Sequence, residues 1–196
     1  MKKVIACLLI VPSLCISRVA IAEAVCNPGD GPYASVGVGM PKFQSWSGTT
    51  HFRTNPNFRV AVGSQFSAFR AEFEPSYVRT KYTTGENSSH MELISTLGNI
   101  YIGLPFEGAV SSYPVAPYVG AGIGFSSVRA NFSVLPAQNQ THSTVLSYQG
   151  IAGIRLAFNE HVGLNIEYRY FSTEKLNSSG RRLESHSPNL GLTYRF

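Results

Sequence analysis

Asn189-Leu190-Gly191-Leu192-Thr193-Tyr194-Arg195-Phe196 closes the chain, and its alternation decides the fold. Leu190, Leu192, Tyr194 and Phe196 share one face of a strand, while Asn189, Gly191, Thr193 and Arg195 share the other. No residue follows to shield the apolar face, so something outside the strand must cover it. In a chain that opens with a secretory leader, the predicted cover is a bilayer. It wraps a closed barrel whose interior takes the polar face.

The leader is legible. Lys2 and Lys3 precede a mostly apolar stretch from Val4 to Val11, and Ala20-Ile21-Ala22 forms a small-residue cleavage site before Glu23. Residues 1–22 are therefore expected to be a signal peptide and 23–196 a single barrel domain. Arg18 argues against a spanning helix there, and no later run approaches the ~20 apolar residues that such a helix needs. Of 16 basic residues Lys2, Lys3 and Arg18 leave with the leader, so 13 remain against 11 acidic ones. The mature chain is near neutral, which removes the case for nucleic acid as a partner. Cys7 and Cys15 also leave, and Cys26 alone cannot form an internal disulfide. Branched Val25 before Cys26 disfavours lipid attachment, so a plain thiol is expected.

Working back from the C-terminal strand, the same alternation recurs in segments of about ten residues. They run Tyr33–Phe43, Phe58–Phe66, Phe69–Tyr82, Met91–Gly103, Pro117–Phe132, Val145–Phe158 and His161–Phe171. Phe58, Val60, Val62 and Phe66 oppose Arg59, Ala61, Gly63 and Gln65. Val162, Leu164, Ile166, Tyr168 and Tyr170 oppose Gly163, Asn165, Glu167 and Arg169. The fourth segment is apolar but blurred in phase by Leu93-Ile94 and Ile100-Tyr101-Ile102. With the closing strand the count is eight, even as a single-chain barrel requires.

A soluble β-sandwich would alternate in the same way, and three features favour the barrel. Connections alternate between short (Ser67-Ala68, Asn159-Glu160) and longer (around 44–57, 83–90, 133–144 and 172–186). The stretch Leu104–Ala116 is too long for an inner turn and counts against the scheme. Aromatics fall into two belts. Tyr33, Phe66, Phe69, Tyr101, Tyr118, Phe158, Tyr194 and Phe196 are placed at the inner interface, and Trp46, Phe58, Tyr77, Tyr82, Phe132, Tyr168, Tyr170 and Phe171 at the outer. Glycines crowd the inward face (Gly37, Gly39, Gly63, Gly120, Gly122, Gly124, Gly153, Gly163, Gly191), as a lumen filled by its own side chains demands.

Arg59, Arg70, Glu72, Glu74, Arg155, Glu167, Arg169 and Arg195 are assigned to the lumen as a charge network, because Arg or Lys facing lipid costs about 2–4 kcal/mol at the midplane. Mutual pairing is the expected role, with a narrow anion-selective path as the alternative.

Pro117-Tyr118-Val119-Gly120-Ala121-Gly122-Ile123-Gly124-Phe125 resembles the fifth strand of the small outer-membrane barrels grouped around opacity proteins and OmpA-like surface antigens. Tyr148 to Leu156 is similar to their sixth strand, Leu164 to Tyr170 to the seventh and Leu190 to Phe196 to the last. The resemblance implies an eight-stranded, all-β, antiparallel up-and-down barrel in a Gram-negative outer membrane, with variable outer loops. It also implies that Phe196 is the signal read by the barrel-assembly machinery.

Lipid A-modifying enzymes share this scaffold, which makes Glu184-Ser185-His186-Ser187 a candidate catalytic group. A nucleophile and base on one strand must sit at i and i+2, and neighbouring His186 and Ser187 point apart. No catalytic residue, cofactor or metal is expected. His51, His90, His142 and His186 fall one in each outer loop region without ligand spacing, and read as independent polar residues. Lys42, Arg79, Lys81, Arg129, Lys175, Arg181 and Arg182 gather around the outer rim. Lipopolysaccharide phosphates are the expected partner there, and host surface molecules such as sulfated glycans suit the same chemistry. Lys175, Arg181 and Arg182 form the best loop patch. The expected function is a non-enzymatic surface protein displaying four loops for adhesive or immune-facing contact. A narrow channel and a lipid A-modifying enzyme are the alternatives.

Overall fold

Period-two alternation with β-branched and aromatic residues on one face favours strands. The computed structural model accordingly contains strands and no helix among the residues it describes, which are 30–44, 50–52, 54–84, 87–104, 109–110, 113–131, 140–175 and 182–196. Eight long strands form the wall: β1 (Gly31–Gly39), β2 (Asn57–Phe66), β3 (Phe69–Thr84), β4 (Asn87–Gly103), β5 (Tyr113–Asn131), β6 (Gln140–Ala157), β7 (Val162–Thr173) and β8 (Glu184–Arg195). Each pairs antiparallel with its neighbours in sequence. β8 returns to β1 through Val36↔Leu192 and six further pairs, so the sheet closes and has no free edge.

Side chains partition by parity, and the wall is inside out. Val36, Phe58, Phe73, Ile100, Ile123, Phe125, Leu190 and Phe196 face outward, with Ile100 65% and Phe125 63% exposed. Arginine, glutamate, asparagine, glutamine and serine side chains are buried in the lumen. The blurred fourth strand resolves the same way. Leu93, Leu97 and Tyr101 point in, and Ile94, Ile100 and Ile102 point out.

Inner turns are tight. Ser67 takes a left-handed φ of 53° between β2 and β3, and its amide donates to Asp30 Oδ1. Asn159 Oδ1 accepts from the amides of His161 and Val162 at 2.9 and 2.7 Å, fixing the turn between β6 and β7. The long Leu104–Ala116 stretch is no obstacle. β5 begins as early as Tyr113, and Ala109–Val110 pairs back on it, so the inner hairpin extends past the barrel.

Three expectations need correction. The connection around 83–90 is not a long loop, because β3 and β4 stay paired as far as Thr84↔Asn87. β8 starts at Glu184 and not at Asn189, running through Pro188, whose carbonyl accepts from Met40 N at 3.0 Å. The belts lose four members: Tyr33, Tyr101 and Tyr118 are 1%, 1% and 4% exposed inside the lumen, and Phe171 packs against an internal apolar cluster. Parity explains all four, since Tyr118 is in phase with Gly120, and Phe171 with Arg169. Trp46 and Phe132 lie outside the described residues.

Candidate functional site

The lumen is layered. At its middle, Arg59 from β2, Glu74 from β3, and Glu167 and Arg169 from β7 close a four-membered ring of alternating charge. Arg169 Nη1 donates to both oxygens of Glu74 at 2.7 and 2.8 Å, and its Nε donates to Glu167 Oε2 at 2.8 Å. Arg59 completes the circuit, 3.4 Å from Glu74 and, as an ion pair without hydrogen-bond alignment, 2.7 Å from Glu167. All four side chains are at least 95% buried. Two positive and two negative charges cancel, so the ring is neutral as a unit. Gln149 ties it to Asn99, donating to Asn99 Oδ1 at 2.7 Å.

Tyrosine hydroxyls supply the remaining donors. Tyr33 and Tyr101 each donate to one oxygen of Glu72 at 2.7 Å, and Tyr118 donates to Glu167 Oε1 at 2.6 Å. Arg70 sits over the rings of both Tyr101 and Tyr118, 4.4 Å from each centroid. This close filling requires glycine opposite. A Cβ on Gly37 would lie 2.6 Å from Arg59 Nε, and one on Gly153 would lie 2.9 Å from the Tyr118 ring.

Towards the inner end, Arg155 donates to Gln65 Oε1 at 2.9 Å and to Asn165 Oδ1 at 3.2 Å, and Arg195 reaches the same Gln65 oxygen at 3.4 Å. Towards the outer end charged side chains give way to hydroxyls and an apolar cluster. Phe43, Val78, Met91, Leu93, Val128, Val145 and Leu183 form a buried cluster, with Phe171 against it. Phe43 is carried there because Lys42–Phe43 continues the β1–β8 ladder in the same register, pairing with Ser185 and His186. Between this cap and the ring is a cavity of about 40 Å³, touching Phe43, Leu93, Glu74 and Arg169. It has room for roughly three waters.

The inward-assigned charges Arg59, Arg70, Glu72, Glu74, Arg155, Glu167, Arg169 and Arg195 thus all lie in the lumen, but in two groups. Arg59, Glu74, Glu167 and Arg169 meet as ion pairs, whereas Arg70, Glu72, Arg155 and Arg195 form none among the described residues. Alternation puts Gln65 and Asn165 on the inward phase without showing that they bridge arginines, and it leaves Asn99, Gln149, the lumenal tyrosines and the apolar cap without a role. The tyrosines share strand phase with the inward glycines, and that signal was available. The cap residues share the inward phase too, Phe43 with Gly37 and Gly39 and Leu183 with Ser185 and Asn189, but period two does not show that they meet over the mouth.

On the outer surface, Arg79 and Glu92 pair at 3.5 Å, and Arg129 is register partner to Glu92 on the other side. Arg79, Lys81 and Arg129 are exposed along β3–β5. Lys42 lies opposite His186, and Lys175 and Arg182 flank residues 176–181. Arg181 is outside the described residues. His186 is held between Tyr168, whose hydroxyl is 2.9 Å from its Nδ1, and Tyr170, at 5.0 Å between ring centroids. Ser185 and Ser187 are buried towards the lumen, away from His186. Among the described residues no three His, Cys, Asp or Glu side chains converge as a metal site.

A closed antiparallel barrel with an apolar exterior and a charged, filled interior is a transmembrane β-barrel. The chain belongs to the outer membrane protein beta-barrel domain family, which it matches over residues 8–196, and its place is the outer membrane. It is similar in structure to Neisserial surface protein A, at 20% identity, covering 86% of this chain and 99% of that one with a TM-score of 0.64. Ail, the attachment invasion locus protein of Yersinia pestis, matches at 16% identity, covering 86% of this chain and 100% of its own, with a TM-score of 0.54. Ail in complex with the heparin analogue sucrose octasulfate matches at 16% identity, 85% and 99% coverage and a TM-score of 0.50. No curated protein matches the sequence.

Proposed function

We propose that residues 1–22 are removed as a leader and that the mature chain is a non-enzymatic surface barrel. Its outer loops bind anionic sugars or phosphates. One observation carries the reading: the lumen is stopped twice, by the Arg59–Glu74–Arg169–Glu167 ring and by the apolar cap, so specificity has to reside outside it. The lumenal charges hold the wall together and conduct nothing. Lys175, Arg181 and Arg182 supply the main contacts, to lipopolysaccharide phosphates or to sulfated host glycans. The heparin analogue bound by Ail supports the sulfated class. Phe196 is the residue that the assembly machinery reads.

The test is retention on immobilised heparin and on lipopolysaccharide, for purified protein in nonionic detergent. Replacing Lys175, Arg181 and Arg182 together with glutamine is expected to lower the salt needed for elution, whereas Arg79→Gln leaves it nearly unchanged. Equal elution of all three proteins would refute the loop reading. In planar bilayers no stable porin-sized step is expected, and reproducible steps would favour the narrow channel instead. Lipid A from expressing cells is expected to keep its mass.

A further inference from the structure

The central ring is neutral, and Glu72, whose oxygens accept from Tyr33 and Tyr101, is the one further lumenal carboxylate among the described residues and acts on Arg70. What remains is an excess of positive charge at the inner end. Arg70 is 7% exposed, Arg155 6% and Arg195 8%, so each is more than nine-tenths buried. Each has a buried guanidinium nitrogen with no hydrogen-bond partner: Arg70 Nη2, Arg155 Nη2 and Arg195 Nε. Arg155 and Arg195 converge on one neutral acceptor, Gln65 Oε1, at 2.9 and 3.4 Å. Gln65 is held in that orientation because its Nε2 donates to Ser67 O at 3.3 Å. Arg70 is the register partner of Gln65 on the adjacent strand.

The acidic groups nearby are Glu72, which acts on Arg70, and Asp30 and Glu160, which are exposed at the turns, so Arg155 and Arg195 have no buried carboxylate as an ion-pair partner among the described residues. Glu160 is exposed, and its contact with Arg195 is through its backbone carbonyl at 3.4 Å. Asp30 accepts from Ser67 N at the turn. His161 stacks on Tyr194, with centroids 6.0 Å apart. An amide oxygen carries no net charge, so two guanidinium groups sharing one remain electrostatically unbalanced in a medium that screens them weakly. A small pocket opens at this end, about 10 Å³, lined by Arg155, Arg195 and Thr193 and, from the turn, by Asn159, Glu160 and His161. That is close to the space one water-sized particle occupies. A phosphate is too large to be enclosed there, whereas a halide fits with little adjustment.

We infer that the inner end of the lumen is a binding site for one chloride-sized anion, held by Arg155 and Arg195 beside Gln65, with Arg70 as the nearby third cation. The ion enters from the periplasmic side and supplies a buried counter-charge to Arg155 and Arg195. The site is separate from the outer loops and does not depend on the function proposed for them.

Two measurements test it. In nonionic micelles, the ³⁵Cl line width in the presence of wild-type protein is expected to exceed that of empty micelles. Bromide should displace the excess, and Arg155→Gln and Arg195→Gln should each bring the width down to that of micelles alone. Arg129→Gln, on the outer surface, should keep it. Correct folding of each variant is checked by its heat-dependent gel mobility. The wild type alone provides the second measurement: crystals grown in bromide should show an anomalous peak between Arg155 and Arg195. Absence of excess broadening in the wild type, its persistence in both inner variants, or bromide found only at the outer rim overturns the inference.

Discussion

At the inner end of the lumen Arg70, Arg155 and Arg195 are buried against tyrosine rings and amides, whereas at the outer end Phe43, Met91, Leu93, Val128 and Leu183 bury one another. The same eight strands supply both ends, so the difference lies in which residue types fall on the inward phase near each mouth. An apolar layer stops ions because it offers them nothing in place of water. A polar layer stops solutes only if its side chains fill the bore, and here they do so because glycines opposite let arginine and tyrosine lie flat. The bore is therefore filled by two unrelated physical means, with the balanced charge ring as the boundary between them.

That contrast makes the two ends separately breakable. The largest effect is expected at the boundary. Arg169→Met removes the residue that pairs with both Glu74 and Glu167, leaving two buried carboxylates to share Arg59. A loss of about 3–5 kcal/mol is expected, measured by urea unfolding in micelles or bilayers. Removing one side chain of the cap should cost somewhat less: Leu93→Ala is expected to lose about 2–4 kcal/mol in the same assay, with the charge ring intact. If Arg169→Met proved milder than Leu93→Ala, the ring would be filler and the cap the principal support. Gly37→Val places a side chain against the Arg59 guanidinium, and about 1–3 kcal/mol of destabilisation is expected from overpacking. Relief of that loss in an Arg59→Ala background would identify the clash. The smallest effect belongs to the exposed Arg79–Glu92 pair, where Glu92→Gln should change stability by about 0.5 kcal/mol or less, serving as the surface reference for the other three.

Much of this contrast was legible beforehand. Alternation in β2, β3, β7 and β8 placed Arg59, Glu72, Glu74, Glu167, Arg169 and Arg195 on the inward phase, because a strand reverses side at every residue. The tyrosines were misread because they were placed by height along the strand and not by phase. Tyr101 is two residues from Asn99 and must share its side. The fourth strand was ambiguous because both of its phases are apolar near the ends, and apolar residues inside the outer mouth mimic residues outside the wall. Phase with Ser95 and Asn99 separates Leu93, inside, from Ile94, outside.

What the chain determined by itself is local: which residues extend, which of their two faces is apolar, and hence that a bilayer and a filled lumen must lie on opposite sides. Which charges meet across the bore was decided only by the tertiary structure. Arg59 reaches Glu167 from the far wall, and Arg169 reaches Glu74, through the register of all the pairs between them. Period two carries no information about that register. It depends on the stagger accumulated around the closed sheet, which belongs to no single strand.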